Sequence, residues 1–173
     1  KKEFGKKVDL VSIEQYLNPS LNDILLYDGR EIELNEGDEF HFFKYLKVCF
    51  REAKYVNIVD RYIVKDQPRK NLKSIIRRIP NDAEIIINTL SDKARTMHQR
   101  YPDKFSIKPI KEELGIVFPK KSIKFIAGNK NQIPHDRSIE TNNWKILIGS
   151  SLDFFDGDHS TIINSTNITF SAK

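Results

Sequence analysis

The sequence predicts an α/β domain: a mixed, largely parallel central sheet flanked by helices, with a β-hairpin at its N-terminal side. Three observations carry that expectation. Short β-branched runs at 55–60, 83–89 and 122–126 alternate with helical patterns, as strands joined by crossover helices do. Residues 8–34 alternate apolar and polar groups around Tyr27-Asp28-Gly29-Arg30, the composition of a tight turn. A chain of 173 residues with 39% apolar and 31% charged residues has the material for one compact core.

Each element follows from its local pattern. Ile24-Leu25-Leu26 and Ile32-Glu33-Leu34 flank the turn and form the hairpin arms. After Gly37-Asp38, the positions Phe40, Phe43, Leu46, Val48, Phe50 and Ala53 recur at three- and four-residue steps, which predicts a core-packed helix with Asp38 as its N-cap. Tyr55 to Asp60 reads as a short strand ending on a carboxylate. A basic helix built on Leu72, Ile75, Ile76 and Ile79 follows, and Pro80-Asn81-Asp82 stops it. Residues 83–89 are apolar enough for a strand buried on both faces, and Ser91-Asp92 can cap a helix running to Tyr101. Pro102, Pro109 and Pro119 interrupt the next stretch, where Ile110, Leu114 and Val117 suit a short helix or an irregular connection. Residues 122–126 return to strand character. Arg137 to Gly149 reads as two strands joined at Asn142-Asn143, and the alternating tail at 160–170 supplies an edge strand. No repeat or linker divides the chain, so 1–37 is expected as a hairpin extension and 38–173 as one unit.

Composition excludes several classes. Twenty-nine Lys and Arg against 24 Asp and Glu give +5 and a pI near 9.2, compatible with an anionic partner without requiring one. The single cysteine, Cys49, allows neither an internal disulfide nor a cysteine-based zinc site and fits a reducing, cytoplasmic setting. Its apolar surroundings make it a core residue rather than a nucleophile. The longest apolar runs, Ile85-Ile86-Ile87 and Ile146-Leu147-Ile148, fall far short of a membrane-spanning helix. The opening Lys1-Lys2-Glu3-Phe4 has no initiator Met and no apolar signal core, as a chain cut from a longer one would begin, so flanking domains are expected.

The run from Pro134 to Phe155 carries the chemistry. His135, Arg137, Asn142, Gly149 and Ser150 have the spacing of the phospholipase D signature: a His, a Lys two residues on, an Asp after four intervening residues, then Gly-Ser after six more. The chain resembles that superfamily, and within it the phospholipase D-like domain at the C-terminus of MIT-domain proteins and of Lon-like proteases in bacterial phage-defence systems. His135-Asp136-Arg137, Trp144-Lys145-Ile146 and Gly149 followed by Leu152-Asp153-Phe154 carry that closer likeness. Ile58-Val59-Asp60-Arg61-Tyr62-Ile63 resembles the family's Asp-Pro-Tyr-Ile element, with Arg61 in the place of Pro.

The spacing has a physical sense. Strand residues two apart share a face, so His135 and Arg137 are expected to converge, and the hairpin brings Gly149 and Ser150 back beside them. Gly149 would let the backbone approach a phosphate and Ser150 would donate to it. A His can attack phosphorus while a neighbouring cation holds the non-bridging oxygens, a chemistry that calls for no metal or other cofactor. The resemblance therefore implies a phosphodiesterase or metal-independent nuclease with His135, Arg137, Ser150 and Asn142 as its catalytic set. Three departures bear on this, one being Leu152 in the place where the superfamily usually has Asn. Arg137 replaces the usual Lys and keeps the charge in a forked form, and Asn142 replaces the usual Asp. With one His motif per chain, catalysis would require a homodimer with two His135 facing each other. In the MIT-type domains the replacements accompany binding of phosphoinositide membranes rather than hydrolysis.

The stretch 61–78 also holds Lys65 and Arg78 and is strongly basic, with Arg61, Arg69, Lys70, Lys73 and Arg77 as its phosphate-binding candidates, either tracking a nucleic-acid backbone or an anionic membrane or forming a solvated helix face. Asp60 fits a site or a helix cap equally, and Trp144 fits the core. The acidic cluster Asp153, Asp156, Asp158 and His159 matches no metal-binding loop, and Gly157 fits a turn there. The expected function is phosphodiester binding with nucleic acid as the leading partner; the alternative is a non-catalytic module for anionic phospholipid headgroups or a protein.

Overall fold

The computed structural model describes residues 28–96, 106–156 and 161–173. Within them the chain runs β1 (Glu31–Leu34), α1 (Phe42–Phe50), β2 (Tyr55–Val59), α2 (Asp66–Arg78), β3 (Glu84–Leu90), α3 (Asp92–Thr96), α4 (Ile107–Val117), β4 (Ser122–Gly128), β5 (Arg137–Thr141), β6 (Trp144–Ile148), β7 (Phe155–Asp156), β8 (Thr161–Ile162) and β9 (Thr166–Ala172). Seven strands form one sheet in the order β1-β9-β6-β5-β2-β3-β4, and β7 pairs with β8 apart from it. The α/β class holds and the sheet is mixed. Its parallel pairs are confined to β2-β3-β4, where helices supply the crossovers, while β5, β6, β9 and β1 join antiparallel.

The register explains the core. Val56 and Ile58, Ile85 and Ile87, Ile139, Ile146 and Ile148, and Ile168 and Phe170 occupy one face of the sheet. On that face they meet Phe42, Leu46 and Phe50 of α1, Leu72, Ile75 and Ile76 of α2, and Ile110 and Leu114 of α4 in a single hydrophobic cluster. Phe154 and Phe155 close it, each with its ring centroid 5.3 Å from that of Phe42. A smaller cluster of Val59, Leu90 and Ile133, with Ala94, lies on the other side of the strand ends.

Several local expectations are corrected. Asp38 does not cap α1: its carboxylate accepts from the Asn35 amide at 2.8 Å, closing a turn through Gly37 at φ 87°, and α1 begins behind His41. The tail strand is not an edge. β9 lies between β1 and β6, because alternation buries Ile168 and Phe170, and β1 is the outermost strand among the described residues. Gly29 has the positive φ of a turn, at 69°, and β1 follows it; the first arm of the expected hairpin lies outside the described residues. Ser91 caps α3, its hydroxyl accepting from the Ala94 amide, and the stretch around Ile110 is helical as α4.

Candidate functional site

Asp60 continues β2 by one residue, its amide donating to the Asn88 carbonyl at 3.1 Å. The register then sets Asp60 between Thr89 of β3 and Arg137, the first residue of β5, on the face covered by helices. The carboxylate is fully buried and held on three sides. One oxygen accepts from the Tyr62 amide at 2.6 Å; the other accepts from the Ser151 hydroxyl at 2.9 Å and the Leu152 amide at 2.8 Å. Burial pushes this carboxyl above the usual carboxylate range, while those donors and the Arg137 charge pull the other way.

Two cations gather beside it. The Arg137 guanidinium lies 5.5 Å from the centre of the Tyr62 ring, and the Lys65 ammonium lies 5.1 Å from the same ring. On either side of Asp60, Thr89 Oγ1 and Arg137 Nε are buried and have no hydrogen-bond partner among the described residues. The carboxyl end of β2 thus combines a fixed carboxylate, two cations on one ring and unspent hydrogen-bonding capacity.

The predicted residues divide around this centre. His135 precedes β5 by two residues, so strand alternation does not reach it. Its side chain is 68% exposed, with Nδ1 4.0 Å from the Asp136 carboxylate. Ser150 follows β6, half-buried, its amide donating to Thr166 Oγ1 at 3.0 Å. Gly149 is packed against β9: its amide donates to the Asn167 carbonyl at 2.8 Å, and a Cβ there would stand 3.3 Å from the Asn167 nitrogen. Asn142 is at the other end of β5, about 17 Å of strand from Arg137. There it accepts from the Lys54 amide at 2.9 Å and donates to the Glu52 carbonyl, fastening the α1–β2 connection.

The basic stretch divides too. Arg61 donates to the carbonyls of Lys130, Ile133 and Pro134 at 2.6–3.2 Å, clamping the loop that leads to His135. Arg69 and Lys73 bind Glu113 at 2.6 and 2.7 Å and brace α2 against α4. Lys70 and Arg77 are exposed, with Arg77 about 18 Å along the helix from Lys65. Only the start of the stretch therefore meets Arg137.

The Glu113 bridge makes its own prediction. Its burial opposes ionisation, but hydrogen bonds and charge from Lys73 and Arg69 hold the carboxyl below its ordinary range. Its stabilisation is then complete above that range and lost as pH falls through the lowered value. Glu113→Gln is expected to cost about 1 kcal/mol at neutral pH and to flatten the acid limb of stability in pH-dependent denaturant melts.

Sequence reasoning left Ser151 unassigned, counted Lys65 only within the basic stretch 61–78, and gave Asp60 a cap as an equal alternative. The cap of α2 is Lys65, not Asp60. The available signal was the spacing Asp60-x-Tyr62-x-x-Lys65 directly after a strand, which places a ring and a cation one turn from a carboxylate. Trp144 and Cys49 are buried in the core as expected, and burial pushes the Cys49 thiol up to about 12. Asp158 and His159 lie outside the described residues.

Comparison with known proteins completes the picture. Residues 40–170 match the family described as the phospholipase D-like domain at the C-terminus of MIT. Among solved structures, phosphatidylserine synthase of Haemophilus influenzae Rd KW20 is similar at 10% identity over 82% of this chain and 34% of that one, with a TM-score of 0.47. TrmBL2, an archaeal chromatin protein described as showing a novel mode of DNA binding, is similar at 9% identity over 83% of this chain and 46% of that one, with a TM-score of 0.38. The chain therefore spans about a third of the first and under half of the second. No curated protein matches the sequence. Because the family match runs from just before α1 into β9 and takes in Asp60, Tyr62, His135, Arg137 and Leu152, the chain belongs to the family of phospholipase D-like domains found at the C-terminus of MIT.

Proposed function

We propose that this phospholipase D-like domain binds phosphodiesters at the carboxyl end of β2, with nucleic acid as the bearer of the phosphate and binding rather than hydrolysis as the activity. The convergence of Arg137 and Lys65 on the Tyr62 ring beside buried Asp60 carries the reading. A guanidinium offers forked donors to two phosphate oxygens, a nearby ammonium adds charge, and ring contact limits the freedom both lose on binding. Binding is favoured over cutting by His135: its exposed ring has the Asp136 carboxylate only at 4.0 Å, outside hydrogen-bond range for fixing a tautomer. A hydrolytic form would need a second copy to supply the general acid.

Arg137→Ala is expected to weaken binding of single-stranded DNA or RNA at least ten-fold, as loss of a charge-assisted contact does. The check is fluorescence anisotropy in EDTA, run beside phosphoinositide vesicles. Unchanged oligonucleotide affinity in the variant would overturn the assignment of the site, and vesicle binding alone would transfer it to lipid headgroups. Metal-independent cleavage by the wild type, lost in His135→Ala, would replace binding with hydrolysis.

A further inference from the structure

A second cationic surface lies away from the Arg137 site, on the outer side of α1 and α2. Lys44 and Lys47 on α1 and Arg51 at its C-terminal cap recur at three- and four-residue steps, Lys44 half-buried and Lys47 and Arg51 exposed, away from the side that buries Tyr45, Leu46, Cys49 and Phe50. On α2, Lys70 and Arg77 are exposed two turns apart, about 10 Å along the axis. Arg78 joins the two rows. Its guanidinium packs 3.8 Å from the centre of the Phe43 ring on α1 and donates to the Ser74 carbonyl at 2.6 Å, one helical turn from Lys47. Charge in the layer behind is already matched, since Glu113 takes Arg69 and Lys73. Lys47, Arg51, Lys70 and Arg77 are exposed to solvent on the outer side.

We propose that this α1–α2 face is a docking surface for the sugar-phosphate backbone of a nucleic-acid duplex, separate from the phosphate site at Arg137. Charge complementarity selects an anionic polymer or an anionic membrane. Composition decides between them. The large apolar side chains exposed among the described residues are Ile116, Val117, Ile126, Leu147 and Ile163, none of which lies on α1 or α2, so this face offers nothing to insert below lipid headgroups.

The test compares wild type with a Lys47→Gln, Arg51→Gln, Arg77→Gln triple variant, all three positions being exposed helix sites where folding is expected to persist and is verified by circular dichroism. Anisotropy titrations of a mixed-sequence DNA duplex across salt are expected to show binding weakened at least ten-fold, and a log–log salt slope shallower by about 2 to 3, because each phosphate contact contributes about 0.9. The triple variant is expected to keep wild-type affinity for a dinucleotide, which occupies only the Arg137 site, whereas Arg137→Ala loses that probe and retains the steep duplex salt slope. An unchanged duplex slope in the triple variant overturns the proposal. So does wild-type binding to phosphatidylserine vesicles, but not to duplex, that the triple variant loses. Failure of the dinucleotide arm alone counts against the Arg137 reading and leaves this one standing.

Discussion

Asp60→Ala is expected to destabilise the fold by about 3–5 kcal/mol, read as a lowered midpoint in urea with an unchanged slope. The change removes the acceptor that, among the described residues, serves the Ser151 hydroxyl and the amides of Tyr62 and Leu152, and it strips Arg137 of the carboxylate beside it. Buried donors left without partners cost their full desolvation, about 1–3 kcal/mol each, so the sum is large even after relaxation. Asp60→Asn is expected to fall between, since an amide keeps one acceptor for Tyr62 but presents its own N–H groups to the Leu152 amide. Acid sensitivity carries a definite sign. The folded state raises this carboxyl above its unfolded value, so its protonated form contributes fully below the ordinary range and that contribution is lost as pH rises through the raised value. Wild-type stability relative to Asp60→Asn, which does not titrate, should therefore fall as pH rises through that window. A difference that grows with pH would show the three donors outweighing burial.

The second large effect lies on the other side of the same segment. Asn71, buried in α2, donates to the carbonyls of Leu152 and Phe155 at 2.6 and 2.8 Å, while Gln67 also reaches Phe155. Asp60 thus holds the amide of Leu152 and Asn71 holds its carbonyl, and the aromatic pair Phe154-Phe155 is drawn into the core between them. Asn71→Leu is expected to cost about 3 kcal/mol by leaving two carbonyls short of donors, and to weaken phosphate binding indirectly as Ser150 and Ser151 lose their placement. Hydrogen exchange would separate this from a general loss: protection at Leu152 and Phe154 should fall before that of β3.

Much of the fold was legible because its signals are local. Asn142-Asn143 between two alternating runs set the β5–β6 hairpin, Pro80 ended α2, and the β-branched runs marked β2, β3 and β4. What the sequence concealed depended on partners far along the chain. Nothing near Arg69 or Lys73 announces Glu113, about forty residues on, so a charge count overstated the cations free for phosphate. Motif spacing had the same weakness. It aligned His135 with Asn142, but a five-residue strand stands between Arg137 and Asn142 and sends them to opposite ends of the sheet. Arg61 was read as a phosphate ligand because its charge was visible, whereas the carbonyls of the 130–134 loop that absorb it were not.

The interior place of β9 sets an order of assembly. β2, β3 and β4 and their helices can pair as soon as they exist, and β5 adds to β2 through its own hairpin. β1, by contrast, pairs among the described residues with β9, so the contact that joins it to this sheet waits until nearly all the intervening chain has been made. Such closure of distant segments is slow and leaves a strand edge open to other chains meanwhile. On the ribosome, the growing domain would carry the open edge of β6 until β9 emerges, and that interval is when misassembly with another copy is most readily caught.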